Sequence, residues 1–340
     1  LLFFVTLINV YVLQDVSFKI FTAFISLTYP LVVILSCIVL KETLEKQKIF
    51  ATICIVAGIG LFSLWNDPKV NKAEKISKII LGEPVQRING GKLSFLHSTA
   101  SVQESSGIGL QAKIQSFLKR YGKFYYTLID IFSPVLLLPK AKRKIKEIID
   151  THAQEKIVVE IGSGPRYFLQ NRDIINVDIF PFSEVDLLAD AVSLPFQSNS
   201  IDTIINIALL EHVKDTSACM KEMYRVLKSE GKAICFVPFI QPYHAAPHDY
   251  FRWTRSGVQK LFSDFRKIDI ITSQGPTSGM LWVFQEWIAI LFSFGNKSIH
   301  DIVFLTIMVI SFPLKFIDLL ISEFPHSEKI ASGFHIIAEK

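Results

Sequence analysis

The segment Val158-Val159-Glu160-Ile161-Gly162-Ser163-Gly164-Pro165 joins an apolar run to a glycine-rich turn. An apolar run of this length that ends in a turn predicts a strand buried within a sheet. Gly162 and Gly164 have no Cβ atom, so their backbone can approach a ligand closely. A dinucleotide-binding turn would carry a third glycine at position 167, where this chain has Tyr167. The segment therefore indicates a ligand site in an α/β fold and argues against a dinucleotide.

Short apolar runs alternate with helical stretches on both sides of this turn. The predicted strands are 156–161, 174–178, 201–207, 232–238 and 267–272, with an edge strand formed by the final residues GFHIIAEK. The predicted helices are 111–132, 140–152, 215–229 with Gly231 as its C-terminal cap, and one that follows Thr254. This alternation predicts an α/β fold with a Rossmann-like, mostly parallel sheet that has helices on both faces.

Five further motifs follow the glycine turn in a fixed order. They are Asp190-Ala191, Leu194-Pro195-Phe196, Ile201-Asp202 leading to Asn206, Leu210-Glu211-His212-Val213, and Arg225-Val226-Leu227-Lys228 with Gly231. Together with Asp178 at the end of the second strand, this series resembles the class I S-adenosylmethionine-dependent methyltransferases of the type 11 family. The resemblance covers residues 156–238, and more loosely 111–275 and the last strand.

The resemblance implies S-adenosyl-L-methionine as cofactor and assigns residues to it. The implied cofactor-binding residues are Glu160, Gly162, Gly164, Asp178, Asp190, Ala191 and Asn206. Glu160 and the two glycines would line the methionine part, Asp178 would accept hydrogen bonds from the ribose hydroxyls, and Asp190 with Ala191 would contact the adenine edge. Asn206 would lie near the methionine moiety. The segment between Gly164 and Asp178 is shorter than is usual in the family, which implies a stunted first helix.

A second polar cluster, His244–Thr254, follows the predicted strand 232–238. Histidines, a carboxylate, an arginine and aromatic rings at the carboxyl edge of a sheet suit substrate binding, and similar methyltransferases carry a His-Pro-Asp-Tyr-Arg-Thr pattern there. His244 and Asp249 are the candidate catalytic bases. The candidate substrate-binding residues are His212, His248, Tyr250 and Arg252. The alternatives are that Asp249 and Arg252 pair to brace the loop, with Thr254 as a helix N-cap, and that Glu211 and His212 serve packing and capping.

The first 65 residues are strongly apolar and predict an α-helical transmembrane segment that precedes the enzyme-like domain. The runs 19–40 and 49–65 are each close to the length that spans a bilayer. They resemble the last helices of an EamA-type drug/metabolite transporter through Tyr29-Pro30, Leu40-Lys41-Glu42 and Ala57-Gly58-Ile59-Gly60. Residues 66–110 are polar and lysine-bearing, which predicts a cytoplasmic linker.

A second apolar region, 280–325, lies inside the predicted methyltransferase domain 111–340. Its two runs, 280–294 and 299–322, precede a strand that returns to the sheet, so they must leave and re-enter the domain on one side. We expect a pair of helices that lies in the membrane interface. The alternative is a lid packed over the substrate site.

Composition excludes some classes of function. Net charge is only +5 and no dense basic stripe is present, so no nucleic-acid partner is expected. The four cysteines form no CxxC pair, and no metal site is predicted. The expected partners are the lipid bilayer and a small-molecule or lipid-linked substrate. The sequence therefore predicts methyl transfer to a membrane-proximal acceptor such as a lipid, a lipid-linked glycan or an isoprenoid. The alternative is an EamA-type transporter whose cytoplasmic domain binds S-adenosylmethionine without catalysis.

Overall fold

Strands and helices alternate along the chain as the sequence predicts. The computed structural model describes residues 72–88, 92–96, 128, 130–164, 173–182, 184–244 and 247–340. These residues all fall within the unit Asn71–Lys340. The predicted transmembrane helices and the EamA-like motifs lie outside the described residues, as do most of the predicted helix 111–132 and the predicted stunted helix after Gly164.

The described residues contain nine strands that form one sheet. The strands are β1 (Gln86–Ile88), β2 (Lys92–Ser94), β3 (Val158–Ile161), β4 (Ile174–Asp178), β5 (Leu187–Leu188), β6 (Ile201–Ile207), β7 (Leu227–Pro238), β8 (Lys267–Gln274) and β9 (Gly333–Glu339). Their order across the sheet is β1-β2-β5-β4-β3-β6-β7-β9-β8. The six strands from β2 to β7 in this order pair in parallel, which brings their carboxyl ends to one edge. The glycine turn that follows β3 therefore lies at the centre of this edge.

The helices flank the sheet on both faces, as predicted. They are α1 (Lys72–Ile79), α2 (Pro139–Glu155), α3 (Thr216–Val226), α4 (Arg255–Leu261), α5 (Pro276–Ser293), α6 (Lys297–Ser311) and α7 (Asp318–Ile321). Neighbouring strand residues point to opposite faces. Ile204 of β6 joins the cluster that includes Met223 of α3, whereas Ile205 joins the cluster that includes Ile145 of α2. The sheet thus separates two hydrophobic cores.

The last strand is not at the edge of the sheet, which corrects the prediction. β9 runs antiparallel between β7 and β8. Its residues Phe334, Ile336 and Ala338 are almost completely buried. Between two neighbours, the backbone N–H and C=O groups of this strand find hydrogen-bond partners on both sides, whereas an edge position would leave one side unpaired.

Gly231 is not a helix cap. α3 ends at Val226, and Leu227 already has an extended backbone and pairs with Ile201 of β6. Gly231 lies within β7, where a Cβ atom would come 2.8 Å from the Lys228 carbonyl oxygen. Close backbone approach, rather than helix termination, requires glycine here.

Part of the predicted linker 66–110 is folded onto the domain. Ile79 of α1 is buried in the main core, and Lys72 of α1 forms an ion pair with Asp186 at 3.0 Å. β2 pairs in parallel with β5 and extends the sheet by one strand, and β1 completes a hairpin with β2. Composition alone suggested a linker because it shows neither the amphipathic spacing of α1 nor the pairing of β2 with a strand that is distant in sequence.

The second apolar region forms a helical hairpin, α5 and α6, between β8 and β9. Gln285 of α5 donates a hydrogen bond to Ser311 at the end of α6 (2.9 Å), in a buried position between the two helices. Asp318 accepts hydrogen bonds from the backbone N–H groups of Thr277 and Ser278 and thereby caps the start of α5. Within the described residues, Lys297–Ile321 is long and apolar enough to cross a bilayer by length and composition alone.

Candidate active site

The glycine turn after β3 has the backbone conformation that glycine favours. Gly162 has φ +70° and Gly164 has φ +57°. A Cβ atom at Gly162 would lie 2.7 Å from the Leu209 side chain. Leu209, which follows β6, therefore packs directly on this glycine. At Gly164 a Cβ atom would meet none of the residues that the structure describes within 4 Å. The turn is thus packed on one side and open on the other, where a ligand can approach the backbone.

Asp178, at the end of β4, is hydrogen-bonded to this turn. Its Oδ2 accepts from the Gly164 N–H (2.8 Å) and its Oδ1 from the Phe180 N–H (2.9 Å). Asp178 therefore holds the Gly164 side of the turn in place.

The other predicted cofactor residues lie in different surroundings. Glu160 is buried in β3 next to the turn. Asp190 is exposed in a short turn after β5, where its Oδ1 accepts from the Val192 N–H (3.1 Å), and Ala191 beside it is buried. Asn206 is fully buried, with its Nδ2 atom 3.9 Å from the Met223 sulfur of α3. The structure thus joins Gly162, Gly164 and Asp178 directly, and it places Asn206 within the core beneath α3.

Residues of the next two loops meet beside the glycine turn. Glu211 lies in a 3₁₀ turn, Leu210–His212, directly after β6, and its side chain is fully buried. Its Oε1 atom is 3.9 Å from His212 Nε2 and 3.8 Å from His244 Nε2. Sequence reasoning favoured packing and capping for Glu211, because nothing in the linear order shows that His244 reaches it.

Burial tends to lower the pKa of His244, but the Glu211 carboxylate and the Pro242 carbonyl outweigh that effect and raise it. The ring of His244 stacks on Trp282 of α5, with centroids 5.6 Å apart. Trp282 was not predicted as a site residue, since its only sequence signal is its place in an apolar run. The helical hairpin therefore contributes one wall of the site.

Asp249 braces the site loop by pairing with Arg252, as the alternative interpretation of this cluster expects, and its catalytic role stays a prediction. Its Oδ2 accepts from Arg252 Nη2 (2.7 Å) and from the His244 N–H (2.8 Å), and Arg252 Nη1 binds Oδ1. Burial acts to raise the pKa of Asp249, but the bonds from Arg252 and His244 outweigh it and lower the pKa to about 2. Such a carboxylate is a weak proton acceptor near neutral pH. Thr254 caps α4 by accepting from the Gly257 N–H (3.2 Å), as the alternative prediction states.

Arg252 and the remaining predicted substrate residues lie around this brace. Arg252 also donates to the Gln241 and Pro242 carbonyl groups, which ties the two ends of the loop together. The His212 Nδ1 atom is within hydrogen-bond distance of the His248 carbonyl oxygen. The Tyr250 N–H donates to the Glu211 carbonyl (2.7 Å), and its ring is exposed beside that of His248. The loop thus presents aromatic rings around a shallow depression next to the buried carboxylate.

Comparison with known proteins gives a partial match. The family model described as "Methyltransferase domain" matches residues 165–235. The ubiquinone/menaquinone biosynthesis C-methyltransferase of Rickettsia prowazekii is 31% identical over 108 residues, which is 32% of this chain and 38% of the relative. The demethylmenaquinone methyltransferase of Anoxybacillus flavithermus is 36% identical over 90 residues, 24% of this chain and 36% of the relative. The chain thus spans little more than a third of the length of these curated relatives.

Solved structures with a similar fold include two methyltransferases. Phosphoethanolamine N-methyltransferase 2 of Haemonchus contortus has a TM-score of 0.37 and 16% identity, covering 66% of this chain and 59% of its own. An S-adenosylmethionine-dependent methyltransferase of Archaeoglobus fulgidus has a TM-score of 0.38 and 16% identity, covering 64% and 100%.

The glycine turn fits the implied cofactor, because its backbone is open at Gly164 and a carboxylate stands beside it. The match over residues 165–235 and the curated relatives indicate an S-adenosyl-L-methionine-dependent methyltransferase domain in this part of the chain.

Proposed function

We propose that this protein transfers the methyl group of S-adenosyl-L-methionine to a lipid-like acceptor that enters the site from a membrane surface. Bound at the glycine turn, the cofactor supplies an electrophilic methyl group on a sulfonium. The observation that carries the proposal is the contact between Trp282 of the apolar hairpin and His244 of the site loop. One structural element would then both touch the bilayer and form a wall of the acceptor pocket.

The outer surface of the hairpin supports the membrane part of the proposal. Met280, Phe284, Trp287 and Leu291 follow one another at steps of four and three residues, which places them on one side of α5, and Phe294 follows directly after the helix. All five are exposed, from 46% for Phe284 to 87% for Phe294 at the tip of the hairpin. A large apolar surface of this kind is unfavourable in water and marks a membrane or protein contact.

The route of the chain favours a helix pair in the interface. α5 begins directly after β8, and β9 returns to the same sheet after α7. A single crossing would leave β8 and β9 on opposite sides of the bilayer, although they are hydrogen-bonded to each other. The hairpin therefore enters and leaves one face, and we place the methyltransferase domain on the cytoplasmic side of that membrane.

The residues of this chain would act mainly by alignment and exclusion of water. Asp178 holds the glycine turn, the Asp249–Arg252 pair holds the loop, and Trp282 covers one side of the acceptor pocket. Methyl transfer is an in-line displacement, for which correct positioning in a dry site supplies much of the rate enhancement. The names of the curated relatives refer to ubiquinone and menaquinone biosynthesis, and an isoprenoid acceptor of that kind suits an apolar entrance.

The cofactor part is tested by calorimetric titration of the full chain with S-adenosylhomocysteine. Asp178→Asn removes the charge but keeps the size of the side chain, so we expect the Kd to rise about 10- to 100-fold. Asp269→Asn, at an exposed ion pair of β8 remote from the turn in sequence, is the matched control and should keep the wild-type Kd. Absence of binding to the wild-type protein would overturn the proposed function.

The acceptor part is tested by methyl-transfer assays with isoprenoid acceptors in vesicles and with water-soluble analogues. We expect faster turnover of the acceptors in vesicles. Equal turnover of both kinds would count against the membrane acceptor. Cofactor binding without transfer to any acceptor of a broad panel would instead favour the transporter with a non-catalytic domain.

A further inference from the structure

We propose that Glu211, His212 and His244 bind a divalent transition-metal ion, such as Zn²⁺, beside the glycine turn. Two elements bring the three residues together. Glu211 and His212 lie in the 3₁₀ turn after β6, next to Leu209, which packs on Gly162. His244 belongs to the loop after β7, the strand that pairs in parallel with β6.

The distances suit a small cation. One potential ligand atom from each residue lies within 4.8 Å of the other two. The Glu211 Oε1 atom is 3.9 Å from His212 Nε2 and 3.8 Å from His244 Nε2. These separations are too long for hydrogen bonds. Ligands at about 2.1 Å from a tetrahedral Zn²⁺ ion lie roughly 3.4 Å from one another. The two Glu211–histidine distances would therefore shorten by about half an ångström on binding, and the distance between the two histidine atoms, which is within 4.8 Å, by at most about 1.4 Å.

The other ring nitrogens of both histidines face backbone carbonyl groups. His212 Nδ1 lies against the His248 carbonyl oxygen, and His244 Nδ1 is 3.0 Å from the Pro242 carbonyl oxygen. A carbonyl oxygen accepts only, so these two contacts favour the tautomers in which each Nδ1 carries the proton. In the neutral rings both Nε2 atoms then present a lone pair toward Glu211. Metal-binding histidines are commonly oriented by this kind of second hydrogen bond.

The buried carboxylate requires a cation. Glu211 is fully buried, and neither of its oxygens accepts a hydrogen bond within the described part of the chain. An unpaired buried charge is strongly unfavourable. The Arg252 guanidinium lies 3.2 Å from His244 Nδ1, but it is directed to Asp249, whose carboxylate balances its charge. A metal ion held among the three side chains would balance the charge of this carboxylate.

The donor set favours a transition metal. Two imidazole nitrogens and one carboxylate suit Zn²⁺, Fe²⁺ or Mn²⁺ better than Mg²⁺ or Ca²⁺, which prefer oxygen ligands. Three protein ligands leave positions open for water or for an oxygen atom of the acceptor. The existence of the site does not depend on the proposed function, whereas this use of the open positions rests on it. His244 would then be a metal ligand in place of the predicted general base.

The test is equilibrium dialysis of the full, chelator-treated protein against Zn²⁺, with Co²⁺ absorption spectra as a second readout. We expect one bound ion per chain and a tetrahedral Co²⁺ spectrum. Glu211→Gln and His244→Gln should weaken Zn²⁺ binding about 100-fold or more. His212→Gln changes a partly exposed side chain and therefore puts folding at less risk. Circular dichroism checks that all three variants are folded.

His248→Gln is the matched control, because this exposed histidine lies in the same loop but outside the three ligands. It should keep the wild-type Zn²⁺ affinity. Absence of Zn²⁺ binding to the folded wild-type protein, or equal binding to all variants, would overturn the metal site. Titration of the same samples with S-adenosylhomocysteine separates the two proposals, since its failure would overturn the methyltransferase function whatever the Zn²⁺ result.

Discussion

At the scale of single residues, Gly162 and Gly164 share a left-handed backbone but differ in their surroundings. Leu209 packs against Gly162, whereas the side of Gly164 is open. The requirement for glycine at Gly162 is therefore both conformational and steric. At Gly164 it is conformational, together with the need for a ligand to approach the backbone.

This difference predicts unequal effects of the same substitution. Gly162→Ala should lower the free energy of unfolding by about 2–4 kcal/mol, since overpacking against Leu209 adds to the backbone strain. Gly164→Ala should lower it by only about 1 kcal/mol, because strain acts alone. Urea denaturation of both variants measures the difference. Equal losses would show that Leu209 does not confine the turn.

At the scale of secondary-structure elements, the α5–α6 hairpin has polar and apolar residues inside and large apolar residues outside. Gln285 and Ser311 are hydrogen-bonded between the helices beside buried apolar residues such as Leu281, while Trp287 and Phe294 are exposed. A helix pair in water normally keeps such large apolar side chains on its inner side. The hairpin is consequently the element by which we expect the protein to bind a bilayer.

Polar substitutions on the outer side of α5 should weaken that binding. Phe284→Ser and Trp287→Ser each remove an aromatic side chain worth about 1.5–3 kcal/mol when transferred from water, so vesicle partitioning should fall roughly tenfold or more. Sedimentation with phospholipid vesicles measures the change. Leu81→Ser, at an exposed leucine outside the hairpin, should partition like the wild type. A similar loss for all three variants would rule out the hairpin as the membrane contact.

At the scale of the whole molecule, α2 and the sheet are joined by a buried histidine. His152 Nδ1 lies 2.5 Å from Thr203 Oγ1 of β6. Burial, and then the positive charges of Lys156 and Lys232, lower the pKa of His152 from its usual value of 6.5. The native protein therefore holds this ring in its neutral form.

The lowered pKa predicts a pH-dependent stability. Below pH 6.5 the unfolded chain takes up a proton that the folded protein resists, so the free energy of unfolding decreases as the pH falls. Above that pH the contribution is constant. His152→Asn should remove this part of the pH dependence, as measured by urea denaturation between pH 7.5 and 5 in roughly half-unit steps. His326→Asn, at an exposed histidine, is the control and should keep the wild-type pH dependence. If His152→Asn also kept it, His152 would not be the source of this pH dependence.

The sequence by itself determined the elements and their general purpose. The apolar run with Gly162 and Gly164 and its alternation with helical stretches predicted the strands and the class of fold. The resemblance carried by the ordered motifs up to Arg225 implied the cofactor. Strand 174–178 and strand 201–207 agree with β4 and β6 residue for residue. Such predictions succeed because periodicity and turn chemistry act between neighbours in the chain.

Only the tertiary structure decided which distant residues meet. It placed β9 between β7 and β8, paired Asp249 with Arg252, and brought His244 to both Glu211 and Trp282. These contacts join residues that are far apart in sequence, and strand order and loop packing select them. Local sequence preference fixes what each segment becomes, whereas burial of the shared core fixes which segments lie side by side.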